Sequence, residues 1–326
     1  MRTLAATWVA ATVILAIAIG LGQQEFGAVA LGLMLVVLAP SVALVRWLGL
    51  PALPRAATRR LTFAVTIVAA IVALVGLYVV FGRPGALIAV AAAAAVVAWG
   101  VRARVTAGDA RLALMFGAIA FAAGLGAEWV GADTFVWAGL QLPLTTLGLL
   151  AGWGLLRGGE LERTPAAGAL FVSAGPRAAA RAALLGAAIA VPWALLNVAA
   201  GGAARDAWVR APWQALAAAQ PAIAEEAWAR VFLIAVLYVA LRWTASPRAA
   251  LVGAILVAGY WFAWLHSHEL TIGALVNTVA AGTLFSLPLT FLWLRRGLEA
   301  AIAFHFVIDA TRFAFAYLVN ARLIAV

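Results

Sequence analysis

The sequence has no cysteine, no lysine among its 22 basic residues, and three histidines in 326 residues. Without cysteine there is no disulfide framework, no thiolate metal site and no cysteine nucleophile, so several enzyme classes fall away together. Charge is also scarce, at 10% of residues against 67% hydrophobic, with a mean hydropathy of +1.07. Soluble globular domains use roughly 45–50% apolar residues. A water-soluble fold is all but excluded.

What is present is a succession of apolar runs. A helix needs about 20 apolar residues to cross the hydrocarbon, and unsatisfied backbone groups exclude open strands there. The spans predicted on this basis are 4–21, 26–45, 61–82, 86–101, 112–130, 135–156, 182–200, 213–241, 249–267, 270–294 and 298–319. The expected fold is therefore an all-α, polytopic transmembrane helical bundle of about 10–11 spans. The first run follows Arg2 and is longer than a signal-peptide core, so it is read as a retained helix.

A formal net charge of +10 would suggest nucleic acid in a soluble protein. Here the arginines lie between apolar runs and act as topological signals, which points to a lipid bilayer and no nucleic acid as partner. With the N-terminus in the cytoplasm, sixteen arginines fall on the inner side and only Arg83, Arg205, Arg210 and Arg322 on the outer. Arg230 and Arg312 fall inside spans. Absence of lysine and abundance of alanine fit a GC-rich bacterial genome, so the expected location is the bacterial cytoplasmic membrane.

The segment 157–181 is the longest polar connection, broken by Gly158, Gly159, Pro165, Gly175 and Pro176. It divides an N-terminal bundle, 1–156, from a C-terminal bundle, 182–326. The N-terminal spans hold almost no ionisable residue at membrane depth; Glu128 lies near a helix end. They read as scaffold. Alanine runs such as 91–95 mark close helix packing.

An ionisable group near the bilayer centre costs at least about 2.5–3.5 kcal/mol on insertion scales, so such groups are functional candidates. They cluster in three places. In Pro221-Ala-Ile-Ala-Glu225-Glu226-Ala-Trp-Ala-Arg230 the proline suits a first helical turn, and Glu226 and Arg230 share a face at i, i+4. Glu225 points about 100° away, free to act as a base. In Phe262-Ala-Trp-Leu-His266, again i, i+4, the imidazole can move a proton or ligate a metal. His268 and Glu269 follow where the span ends and read as an interfacial pair. In His305-Phe-Val-Ile-Asp309 both polar side chains project from one helix.

A carboxylate and an imidazole can activate water, while a second imidazole and its partner stabilise the oxyanion formed on an amide. The same residues could instead hold a divalent metal such as zinc. Both chemistries are open at this point.

The order and spacing Glu225-Glu226-x-x-x-Arg230, Phe262-x-x-x-His266 and His305-x-x-x-Asp309 resemble the CPBP family of intramembrane proteases. That family comprises the CAAX prenyl endopeptidases and bacteriocin-processing enzymes, also called Abi proteins. The basic, glycine-containing turn Arg295-Arg296-Gly297 is similar too, and the likeness covers roughly residues 180–320. The resemblance implies that Glu225 and His266 activate water, that His305 and Asp309 form the oxyanion or metal-ligand side, and that Glu226, Arg230 and Phe262 support them. Glu225, His266, His305 and Asp309 are the candidate ligands if a metal is used. Many members carry asparagine where this chain has Asp309. An ionised aspartate only accepts hydrogen bonds, so Asp309 must be protonated, orient His305 or bind metal.

The expected partner is a peptide or protein substrate in or at the membrane, and the expected activity is intramembrane peptide hydrolysis. A non-catalytic scaffold or immunity factor of the same fold and a proton-coupled transporter are the alternatives. Counted at about 1.5 Å per residue from the cytoplasmic arginines, Glu225 lies about 25 Å deep, His266 about 27 Å and His305 only about 13 Å. A single site requires them to be level.

Overall fold

The computed structural model describes residues 67, 68, 70, 76, 85–127, 134–157, 161, 162, 175–199, 206–266 and 271–324. Among them there is no strand, and the fold is all-helical as the apolar runs require. Among the described residues six helices are long and apolar enough to cross a membrane. These are α2 (Ala107–Gly124), α3 (Thr134–Leu156), α4 (Gly175–Ala199), α7 (Pro247–Trp264), the run Ile272–Arg296, and α10 (Leu298–Asn320). A shorter apolar helix, α1 (Gly85–Gly100), precedes them. The predicted spans 4–21 and 26–45 lie outside the described residues, as does nearly all of 61–82.

Three predicted spans differ in character from the expectation. The helix expected at 182 starts at Gly175, so the end of the polar connection is already helical. The span expected at 213–241 is no single α-helix. It runs as a 3-10 segment Pro212–Ala218, α5 (Ala219–Glu225), a π-helix Glu226–Ile234 and α6 (Ala235–Arg242). Pro221 stands in the first turn of α5, behind the 3-10 segment. The run Ile272–Arg296 likewise consists of α8 (Ile272–Ala281), a π-helix Gly282–Ser286 and α9 (Leu287–Arg296). π-helical turns are rare and concentrate at functional sites.

The chain divides into two compact units. One comprises Leu87–Phe232 and Leu289–Val326. Its helices approach through glycine and alanine, because apolar helices in lipid gain more from backbone proximity than from burying oily surface. Gly148 and Gly152, four apart on α3, form a trough for the π-helix. A Cβ on Gly148 would stand 3.3 Å from the carbonyl oxygen of Ala227, and one on Gly152 would run into the carbonyl of Val231. Gly186 on α4 receives the carbonyl of Ala300 on α10 in the same way. Trp193 on α4 closes edge-on against Phe304, with ring centroids 5.7 Å apart.

At the start of α2, Thr106 and Asp109 form a reciprocal capping box. Asp109 is buried and receives two hydrogen bonds from Arg157, at the end of α3, at 2.5 and 2.9 Å. Arg157 lies beyond the span, and hydrogen bonding to Asp109 raises its pKa above the ordinary arginine value.

The other unit comprises Met1–Ala86 and Leu233–Pro288. Within it α7 begins with a Ser246 cap and Pro247 at its first position, the residue types favoured at those two places. Gly282 lets the Tyr260 ring lie against the second π-helix, and the Tyr260 hydroxyl is 2.9 Å from the Thr283 hydroxyl.

Candidate active site

Two elements of the first unit meet at the candidate site: the junction of α5 with the π-helix, which bears Glu225, Glu226 and Arg230, and the middle of α10, which bears His305 and Asp309. Gly297, at φ 93°, ends the basic turn in a backbone conformation open mainly to glycine, and α10 starts at the next residue. His305 and Asp309 then fall one turn apart on the same face.

Glu226 lies at the centre of the arrangement. Its Oε1 is 3.0 Å from Arg230 Nη1 and 2.8 Å from His305 Nδ1. The i, i+4 pairing of Glu226 with Arg230 read from the sequence is present, as a close charge contact rather than an aligned hydrogen bond. Sequence spacing carried no sign of the second contact, which crosses 79 residues. A carboxylate only accepts, so His305 Nδ1 bears the hydrogen and donates it to Glu226. Nε2 is left on the opposite edge of the ring, 3.4 Å from Asp309 Oδ2 and 3.8 Å from Glu225 Oε2.

Burial separates two roles. Glu226 and Arg230 are sealed, at 0% and 1% exposure, whereas Glu225, His305 and Asp309 keep 6%, 8% and 6%. Glu226, charge-paired with Arg230, braces the His305 ring from the more deeply buried side.

Glu225 and His305 are in contact range, so the depth mismatch counted from the end arginines is not a separation of the side chains. A uniform α-helical rise does not apply to a segment that changes from 3-10 to α to π along its length.

His266 and Phe262 belong to the other unit. There His266 is exposed, with its Nδ1 2.9 Å from the Phe262 carbonyl oxygen and its ring edge-on to the Phe262 ring at 4.7 Å. The i, i+4 relation expected of these two is realised through backbone as well as ring. His268 and Glu269 lie outside the described residues.

Two participants were not singled out as site residues by their spacing. Arg312, three residues beyond Asp309, has Nη1 3.7 Å from Asp309 Oδ1 and Nε 2.9 Å from Asp206 Oδ2. An arginine inside an apolar span, at i+3 from a carboxylate, was the available signal for the first. For Asp206, in a connection, there was none.

Among the described residues no group of three histidine, aspartate or glutamate side chains is arranged to hold a metal ion. His305 Nδ1 is committed to Glu226, and Nε2 lies 3.4 Å from Asp309 Oδ2 and 3.8 Å from Glu225 Oε2. No step below is routed through a metal.

Residues 207–311 match the family described as Rce1-like, type II CAAX prenyl endopeptidase. No curated protein and no solved structure matches the chain. The matched segment contains all three motifs, from Glu225 to Asp309, and stops one residue short of Arg312. Across that segment the chain is similar to the Rce1-like, type II CAAX prenyl endopeptidase family.

Proposed function

We propose that the protein is an intramembrane endopeptidase that hydrolyses a peptide bond of a membrane-associated peptide or protein with a water activated by Glu225. The observation that carries this reading is the buried convergence of Glu225, His305 and Asp309 on one side of a ring whose other side is fixed by Glu226 and Arg230.

In this reading Glu225 takes a proton from water as the oxygen attacks the scissile carbonyl. His305, oriented by Glu226, carries a proton on Nε2 to the oxygen that gains charge, and the departing amine takes the proton held by Glu225. Asp309 accepts from Nε2 before the reaction and yields that hydrogen bond to the oxyanion as it forms. Residues 182–326 are the catalytic part and 1–156 the scaffold. The setting is a bacterial cytoplasmic membrane with the N-terminus inside, where a peptide-processing role suits the chain better than prenylated CAAX cleavage.

The test compares peptides and membrane-protein termini between cells bearing the wild-type chain and cells bearing Glu225→Gln at matched expression. Termini found only with the wild type establish proteolysis and identify the substrate. Identical profiles, with the variant folded and inserted, rule the reading out in favour of a non-catalytic scaffold.

A further inference from the structure

We propose that Arg312 is a positioning residue for this site, holding the Asp309 carboxylate at the Nε2 edge of His305 while Asp206 anchors the guanidinium from outside. The proposal rests on the peptidase reading for its place in a reaction, but the geometry behind it does not.

His305, Asp309 and Arg312 lie at i, i+4 and i+7, a single stripe along α10. Three carboxylates face the His305 ring, those of Glu225, Glu226 and Asp309, and two guanidinium groups balance them. Arg230 serves Glu226 and Arg312 serves Asp309. A carboxylate at membrane depth requires a counter-charge.

Arg312 is itself held from several sides. Its Nε is 2.9 Å from Asp206 Oδ2, and its guanidinium lies over the buried Phe313 ring, 4.8 Å from the centroid. Trp208 donates from Nε1 to Asp206 Oδ1 at 3.2 Å and packs edge-on against Phe313 at 5.0 Å. Asn320, about two turns further along α10, donates from Nδ2 to the carbonyl oxygens of Asp206 and Val209 at 3.0 and 2.8 Å. The 206–209 connection is thereby clasped to α10 at two points, and Arg312 is fixed between an outer and an inner carboxylate. Arginine suits this place because its planar fork can address two carboxylates at once, which a lysine ammonium does less well.

The test uses the full-length protein in lipid nanodiscs with 15N-labelled histidine. Only three histidines are present, so His266→Gln and His268→Gln assign the His305 signals. At fixed pH, Arg312→Gln should displace the His305 Nε2 resonance, and Arg312→Lys should displace it less. In an Asp309→Asn background the Arg312→Gln change should leave Nε2 where Asp309→Asn alone puts it. If the glutamine variant does not fold, Arg312→Lys supplies the comparison in both backgrounds.

An Nε2 resonance unmoved by either replacement overturns the proposal. So does an equal displacement whether residue 309 is aspartate or asparagine, because Arg312 would then act through Asp206 and the clasp alone. A displaced resonance in a chain that yields no new termini leaves Arg312 as the organiser of Asp309 and removes the peptidase reading instead.

Discussion

The Glu226 carboxylate and the His305 imidazole meet at 2.8 Å across 79 residues of sequence, and that contact fixes which edge of the ring faces the other carboxylates. Because Glu226 also neutralises Arg230, it links the orientation of the imidazole to the charge balance of a sealed interior.

Two replacements of Glu226 should therefore behave differently. Glu226→Gln keeps an acceptor for Nδ1 and should fold, with activity lowered because the charge that supports an imidazolium is gone. Glu226→Ala leaves Arg230 buried without this partner and should destabilise the protein by about 3–5 kcal/mol. Thermal unfolding in detergent alongside cleavage per folded molecule separates the two effects.

Glu225→Gln should reduce turnover by about two to four orders of magnitude, the usual worth of a positioned general base, with little change in stability. Glu225 keeps some exposure, so losing its charge costs the fold less than losing that of Glu226. A terminus found in wild-type cells and lost in the variant is the quantity to follow. Equal cleavage by both would remove Glu225 from the chemistry.

The glycine trough on α3 gives a prediction about packing. Gly152→Ala drives a methyl into the Val231 carbonyl, next to Arg230, and should cost about 1–3 kcal/mol by overpacking. Gly139, on the same helix, has open space at its Cβ position, so Gly139→Ala should be neutral or slightly stabilising. Comparing their melting temperatures tests whether close backbone approach, rather than glycine content, sets the requirement.

Far from the site, Arg157→Leu should destabilise by about 1–3 kcal/mol by removing two donors from the buried Asp109. Thr106 still donates to Asp109 from its amide and hydroxyl at 2.8 and 2.7 Å, which limits the damage. Cleavage per folded molecule should not change.

The sequence was most informative where a single helix determines the outcome. Apolar run length located α3, α7 and α10 to within a few residues, because hydrocarbon thickness leaves little freedom. The i, i+4 pairs Glu226 with Arg230 and His305 with Asp309 followed from helical period alone. What spacing did not reveal is tertiary or depends on the backbone ladder. The contact of Glu226 with His305 joins two helices, and Asp206 reaches Arg312 from a connection without periodicity. The π-helix Glu226–Ile234 has no signature in residue type, since its wider turn is a matter of which carbonyl each amide chooses. That same choice defeated the depth count.

Gly297 starts α10 abruptly, and His305 follows seven residues after Leu298, about 10 Å along the helix axis. In the proposed reading every turnover consumes a water molecule, which must be delivered to a buried carboxylate. Supply then becomes part of the kinetics. If Glu225 activates that water, its arrival limits the rate as much as the chemistry does, and turnover should slow in a more viscous or drier bilayer without any change in the residues themselves.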